Sequence, residues 1–155
     1  MGSSNLSRSL IYDEVRLCWV RATSEEQVRQ QWLKRMIGQL GYPKELLVVE
    51  KELKELPHLF GKTVPHRRVD ILCYGKDIHP NHSLYPLIMI ECKRGRLTNA
   101  AMDQALGYNH HVKAHLIAVV NLEEVRWGYY NTEGKRYPCC SMLPSFKELM
   151  QWVRL

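Results

Sequence analysis

The sequence predicts a mixed α/β (α+β) domain: a central mixed β-sheet flanked by helices, in the order αβββαβββα. Three observations lead there. A capped amphipathic helix opens the main body after Thr23. Two segments, Leu84–Cys92 and His115–Val120, are almost continuously apolar, which marks strands buried on both faces. A chain of 155 residues with 45% hydrophobic content can bury a core without disulfides or a structural metal.

Each element has its own signal. Residues 1–22 read as an N-terminal arm, of which 11–22 mix Ile11, Val15, Leu17, Trp19 and Val20 with polar residues and suit a short strand or a loose arm. Thr23-Ser24-Glu25-Glu26 places hydroxyl caps before acids, a helix start. Val28, Trp32, Met36 and Leu40 then recur every four residues, so a helix of about 15 residues is expected, stopped by Gly41 and Pro43. Strands follow over Leu46–Leu53 and Val69–Tyr74, separated by a turn-rich stretch at 57–66. Gly75, Asp77, Pro80 and Asn81 predict a loop over 75–83, before the strand ending at Cys92. Thr98-Asn99 caps a second helix reaching about residue 112. After the buried strand at 115–120, Val125–Tyr130 and Lys135–Cys139 flank Asn131-Thr132-Glu133-Gly134, a hairpin signal. Pro144–Val153 forms the last helix, and residues 23–155 are expected as one domain.

Composition narrows the function. Lys and Arg number 22 against 16 Asp and Glu, a formal net charge of +6 that favours an anionic partner, most commonly nucleic acid. The five cysteines, Cys18, Cys73, Cys92, Cys139 and Cys140, show no zinc-site spacing and are expected as free thiols in a reducing cytoplasm. No apolar run is long enough to span a membrane, and no hydrophobic signal core precedes residue 22. Nucleotide-binding glycine loops and the G-x-S-x-G nucleophile turn are absent.

The chemistry concentrates at Ile90-Glu91-Cys92-Lys93, where the most apolar strand ends. Alternation turns Glu91 and Lys93 to one face and Cys92 to the other. Asp70, between Val69 and Ile71, meets Glu91 if the two strands pair. Two close carboxylates repel, and a divalent cation with oxygen ligands resolves the repulsion. Gln104 and Tyr108, four apart, share a helix face. Glu25 on its own reads as a helix-dipole acid.

Taken in order, Glu25-Glu26-Gln27-Val28-Arg29-Gln30, Gly41-Tyr42-Pro43, Val49-Glu50-Lys51, Val69-Asp70-Ile71, Ile90-Glu91-Cys92-Lys93 and Asp103-Gln104-Ala105-Leu106-Gly107-Tyr108-Asn109 resemble the PD-(D/E)XK nuclease superfamily. More narrowly, they resemble the N-terminal nuclease domain of type I restriction enzyme R subunits, over about residues 23–121. The resemblance implies a restriction-endonuclease-like core and a Mg²⁺-dependent deoxyribonuclease, with Mn²⁺ as a possible substitute. Asp70 and Glu91 would hold the metal, with the backbone carbonyl of Cys92 as a third ligand. Lys93 would be the catalytic lysine. Gln104 and Tyr108 would support the site and touch the DNA backbone. Glu25 would approach the metal through water, with Glu26 as the alternative. Arg67, Arg68, Arg94 and Arg96 suit a DNA-facing rim whose phosphate contacts give affinity without sequence specificity. Val69 replaces the proline of the superfamily name, and the motor regions of an R subunit are missing, so ATP-driven restriction is not expected of this chain by itself.

The partners expected are DNA, no membrane, and either a second copy or a separate chain; the location expected is cytoplasmic. The competing readings are a catalytically silent nuclease fold that binds nucleic acid or a partner protein, and a structural ion network of Asp70, Glu91 and Lys93. His79-Pro80-Asn81-His82 reads as a polar loop, and His110, His111 and His115 do not form a metal face if the helix ends near 112. Trp127 and Tyr129 share a strand face, better suited to packing than to base stacking.

Overall fold

The computed structural model describes residues 9–129 and 142–154. Its elements are β1 (Leu10–Asp13), β2 (Cys18–Arg21), α1 (Ser24–Gly38), β3 (Leu47–Glu52), β4 (Arg68–His79), β5 (His82–Cys92), α2 (Asn99–Val112), β6 (Leu116–Val120), β7 (Val125–Tyr129) and α3 (Phe146–Val153). β3 to β7 form one mixed sheet in sequential order, and β1 and β2 pair separately. Within the large sheet β5 and β6 are parallel and the other neighbours antiparallel. The parallel pair is joined by α2, the crossover that parallel strands require. The mixed α/β architecture expected from the sequence is the one observed.

α1 begins where the caps place it: the Thr23 hydroxyl accepts the Glu26 N–H at 3.1 Å. It ends at Gly38, short of Leu40. The chain is closed instead by the Tyr42 N–H donating to the Met36 carbonyl at 2.9 Å. That turn uses the left-handed backbone of Gly41, at φ +72°. Val28, Trp32, Leu33 and Met36 are buried, and the Trp32 indole donates to the Asn121 carbonyl at 2.7 Å. α2 starts at the expected Thr98 cap and ends at Val112. His111 and His115 therefore do not share a helix, as expected.

Of the two alternatives for residues 11–22, strand is the one observed: residues 10–21 form a hairpin, anchored at its turn by the fully buried Asp13 carboxylate. That carboxylate accepts from the Val15 and Arg16 N–H groups, the Arg16 side chain and Gln30. The loop expected over 75–83 is mostly strand, since β4 runs to His79 and β5 starts at His82, leaving Pro80-Asn81 at the tip. Register shifts at Cys73/Tyr74 and Lys76/His79 absorb the irregular residues: Asp77 sits at φ +57° and Pro86 lies opposite Tyr74. Gly75 and Pro86 thus accompany irregularities within long strands rather than chain reversal. The second half of the hairpin expected around residues 131–134 lies outside the described residues, as do Tyr130, Cys139 and Cys140.

The core runs through the sheet centre. Ile71, Leu72, Leu87, Ile88, Met89, Ile90, Ile117 and Val119 are sealed from solvent. α2 packs on β5 and β6, α1 on β5 and α3 on β4. No described helix is long and apolar enough to cross a membrane. The start of β4, the end of β5, the first turn of α1 and one face of α2 are left to build a polar site.

Candidate functional site

β4 and β5 pair antiparallel with Ile71 opposite Ile90, a register that brings Asp70 to the level of Glu91. Asp70 is held from both sides. Its Oδ2 accepts the Cys92 backbone N–H at 2.8 Å, and its Oδ1 accepts from Arg29 Nη2 at 3.0 Å. Glu91 is largely buried, and its Oε1 has no hydrogen-bond partner. Burial, and after it the neighbouring Asp70 charge, pushes the Glu91 pKa up to about 8, while Lys93 and Arg67 pull it down. Burial, and after it the Asp70 charge, also shifts the Cys92 thiol far up, so it is held neutral.

Lys93 follows on the same face of β5. Glu91, Lys93, Gln104, Tyr108 and Arg67 line one small cavity together with Ala101 and Ala105. Gln104 and Tyr108 therefore do share a face of α2, as their spacing predicted. The Arg67 guanidinium stacks on the Tyr108 ring with Cζ 4.5 Å from its centroid. The Tyr108 hydroxyl is buried without a partner, and burial raises its pKa strongly. Lys93 and Gln104 also line a wider cleft, together with Arg94, Arg96 and Thr98. Arg68 stands apart: it is exposed and pairs with Glu50 and Glu52 at 3.6 Å each.

Behind Asp70 the expected Glu25 is joined by Glu50, a residue to which the sequence assigned no role of its own. One ligand atom each of Glu25, Glu50 and Asp70 lies within 4.8 Å of the others, close enough to surround a metal ion. Glu25 faces Asp70, whereas Glu26 turns away into an ion pair with Arg16 and Arg29, which fixes the rotation of α1. Glu50 reaches the group because the β3–β4 register sets it opposite Asp70: its neighbours Val49 and Lys51 pair with Ile71 and Val69, and Glu50 itself adopts φ +53°. The pKa of Glu25 is raised by burial and then by Asp70.

Arg29 is the hub. Its side chain is 2% exposed, and Nη2 donates to Glu25 at 3.1 Å, Glu50 at 2.8 Å and Asp70 at 3.0 Å. Nη1 pairs with Glu26, and Nε has no partner. Burial opposes its charge, but the surrounding carboxylates, led by Glu26 and Asp70, outweigh burial and shift its pKa further upward. An arginine on the buried face of an amphipathic helix, surrounded in sequence by Glu25 and Glu26, was the available signal for it.

The donor set fits a hard divalent cation. It offers carboxylate oxygens from Asp70, Glu25 and Glu50, and a buried Glu91 oxygen that lacks any donor. An unsatisfied buried acceptor is costly, and a cation removes the cost.

No curated protein matches the chain. The family described as the type I restriction enzyme R protein N terminus matches residues 24–144, a span that holds α1, the whole large sheet, α2 and each of the site residues just described. The chain therefore belongs to the type I restriction enzyme R protein N-terminus family.

Proposed function

We propose that the protein is a Mg²⁺-dependent deoxyribonuclease, with Mn²⁺ able to substitute, that hydrolyses DNA phosphodiester bonds. The observation that carries this reading is the convergence of Glu91, Lys93, Gln104 and Tyr108 on one cavity, beside an Asp70 already fixed by the Cys92 N–H. Family membership supports a nuclease-related role.

In this reading Asp70 and Glu91 hold the ion, joined by the Cys92 carbonyl, with Glu25 and Glu50 acting through water. The ion, when bound, supplies positive charge at the phosphate and a more acidic water. Lys93 places an ammonium against the phosphate and stabilises the charge that develops there. Gln104 and the Tyr108 hydroxyl orient the phosphate from α2. Arg67, Arg94 and Arg96 hold the flanking backbone, and Arg68 does so by exchanging Glu50 and Glu52 for a phosphate.

A second reading is favoured by one observation: Arg29 already bridges Glu25, Glu50 and Asp70 and offsets part of their charge, so a metal is not the only cation that holds these acids together. A protein of that kind binds DNA without cutting it. Incubation of duplex and single-stranded DNA with Mg²⁺ or Mn²⁺ separates the two. The nuclease reading predicts products with the wild type, and none with Asp70→Ala or after chelation. Salt-sensitive DNA association without product from any substrate supports the binding-only reading instead.

A further inference from the structure

Arg29 donates from one nitrogen, Nη2, to Glu25, Glu50 and Asp70, the same three residues whose oxygens lie close enough to surround an ion. A divalent cation and this guanidinium therefore call on the same three carboxylates, the ion on Asp70 directly and on Glu25 and Glu50 through water. The guanidinium does not swing away freely. Nη1 pairs with Glu26, and Glu26 is itself held by Arg16 and by Gln30 Nε2 at 3.0 Å. Arg16 and Gln30 in turn bind Asp13, in the turn of the β1–β2 hairpin, at 2.7 Å and 2.8 Å. An unbroken chain of charged hydrogen bonds thus runs from the hairpin to the carboxylates.

We infer that Arg29 is a positioning residue that stands in for the metal: it holds Glu25, Glu50 and Asp70 assembled when the site is empty and competes with the ion for them when it binds. The inference rests on the nuclease reading for the identity of the ion. The physical reason is that three carboxylates gathered within 4.8 Å repel strongly without a cation among them. A fixed positive charge at hydrogen-bond distance relieves that repulsion, and it also opposes the approach of a second cation. The outer links, Asp13, Arg16 and Glu26, keep the guanidinium from following its carboxylates toward the ion. The site is thus pre-formed but takes its ion weakly, so the phosphate of a bound DNA strengthens ion binding by adding negative charge.

The test is calorimetric titration with Mn²⁺ alone, on the whole chain, for wild type, Arg29→Gln, Arg29→Lys and Asp70→Asn. Arg29→Gln should bind Mn²⁺ at least about tenfold more tightly than wild type, about 1.4 kcal/mol. Its thermal midpoint should be lower than wild type without metal and should rise more on adding Mn²⁺. A merely structural arginine lowers the midpoint without tightening Mn²⁺ binding. If Arg29→Gln does not fold, Arg29→Lys carries the test. Its single ammonium cannot serve two arms of the guanidinium fork, and its affinity should rise about threefold. Affinity equal to or below wild type in the folded variant overturns the inference; if wild-type binding is also lost in Asp70→Asn, the metal site itself stands. Absence of Mn²⁺ binding in all four proteins overturns both.

Discussion

The Cys92 backbone N–H donates to Asp70 Oδ2 at 2.8 Å, tying the end of β5 to the start of β4 through a side chain rather than through the strand ladder. The other oxygen of the same carboxylate accepts from Arg29 in α1. Asp70 is thereby fixed between the sheet and the first helix, each oxygen with its own donor. Glu91, one position before Cys92, is left with a buried oxygen that has no donor. The site is thus divided into a satisfied carboxylate and an unsatisfied one.

That division makes stability depend on pH. The Glu91 pKa stands at about 8 in the folded protein against 4.5 for the unperturbed group. The folded state therefore holds a proton that the unfolded state releases, and the contribution is full below about pH 4.5 and lost as pH rises to 8. The loss is on the order of a few kcal/mol. Glu91→Gln, which mimics the protonated acid, should be more stable than wild type at about pH 8.5 without metal and no different at about pH 4. Mg²⁺ should restore the wild type at high pH and leave the variant unchanged. Thermal unfolding across pH with and without Mg²⁺ measures both.

Tyr108 separates function from stability. Its hydroxyl is buried with no partner in the protein, while its ring is held by Arg67. Tyr108→Phe keeps the ring and removes an unsatisfied polar atom, so stability should be unchanged or higher, within roughly 1 kcal/mol. Cleavage should fall about tenfold if the hydroxyl orients a phosphate. Denaturant unfolding and initial rates on the same preparation check the pair of outcomes.

Arg94 and Arg96 line the outer cleft beside Lys93 and Gln104. Replacing both by Ala should weaken binding of unrelated DNA sequences alike. It should also reduce the slope of log affinity against log salt by about two, one for each phosphate no longer neutralised. Fluorescence anisotropy over a salt series reads the slope directly. An unchanged slope places the DNA elsewhere.

Much of this was legible in the sequence because it rested on local rules. The caps at Thr23 and Thr98, the apolar strands ending at Cys92 and Val120, and the shared face of Gln104 and Tyr108 each follow from spacing alone. What was not legible depended on register. Glu50 reaches Asp70 because the β3–β4 register sets the two opposite each other, with Glu50 at φ +53°, and neither the register nor the left-handed backbone is written in β3 alone. Arg29 is a hub only because three separate elements bring carboxylates to it. The loop expected over 75–83 was too long because Gly75 and Asp77, ordinary turn residues, accompany an irregularity inside β4, and only Pro80 and Asn81 form the reversal. The choice between Glu25 and Glu26 needed the rotation of α1, which Glu26 fixes by pairing with Arg16 and Arg29.

Single-turnover cleavage of DNA by wild type and Lys93→Ala at saturating Mg²⁺, with DNA affinity measured in parallel, puts the proposed chemistry to its sharpest test. Lys93 lines the cavity beside Glu91 and makes no ion pair among the described residues. Its removal should therefore leave the fold and DNA binding nearly intact, within about threefold. The cleavage rate should fall by about a thousandfold, the scale expected when a transition-state charge is left unstabilised. A Lys93→Ala variant that cuts at the wild-type rate would contradict the nuclease reading of this site.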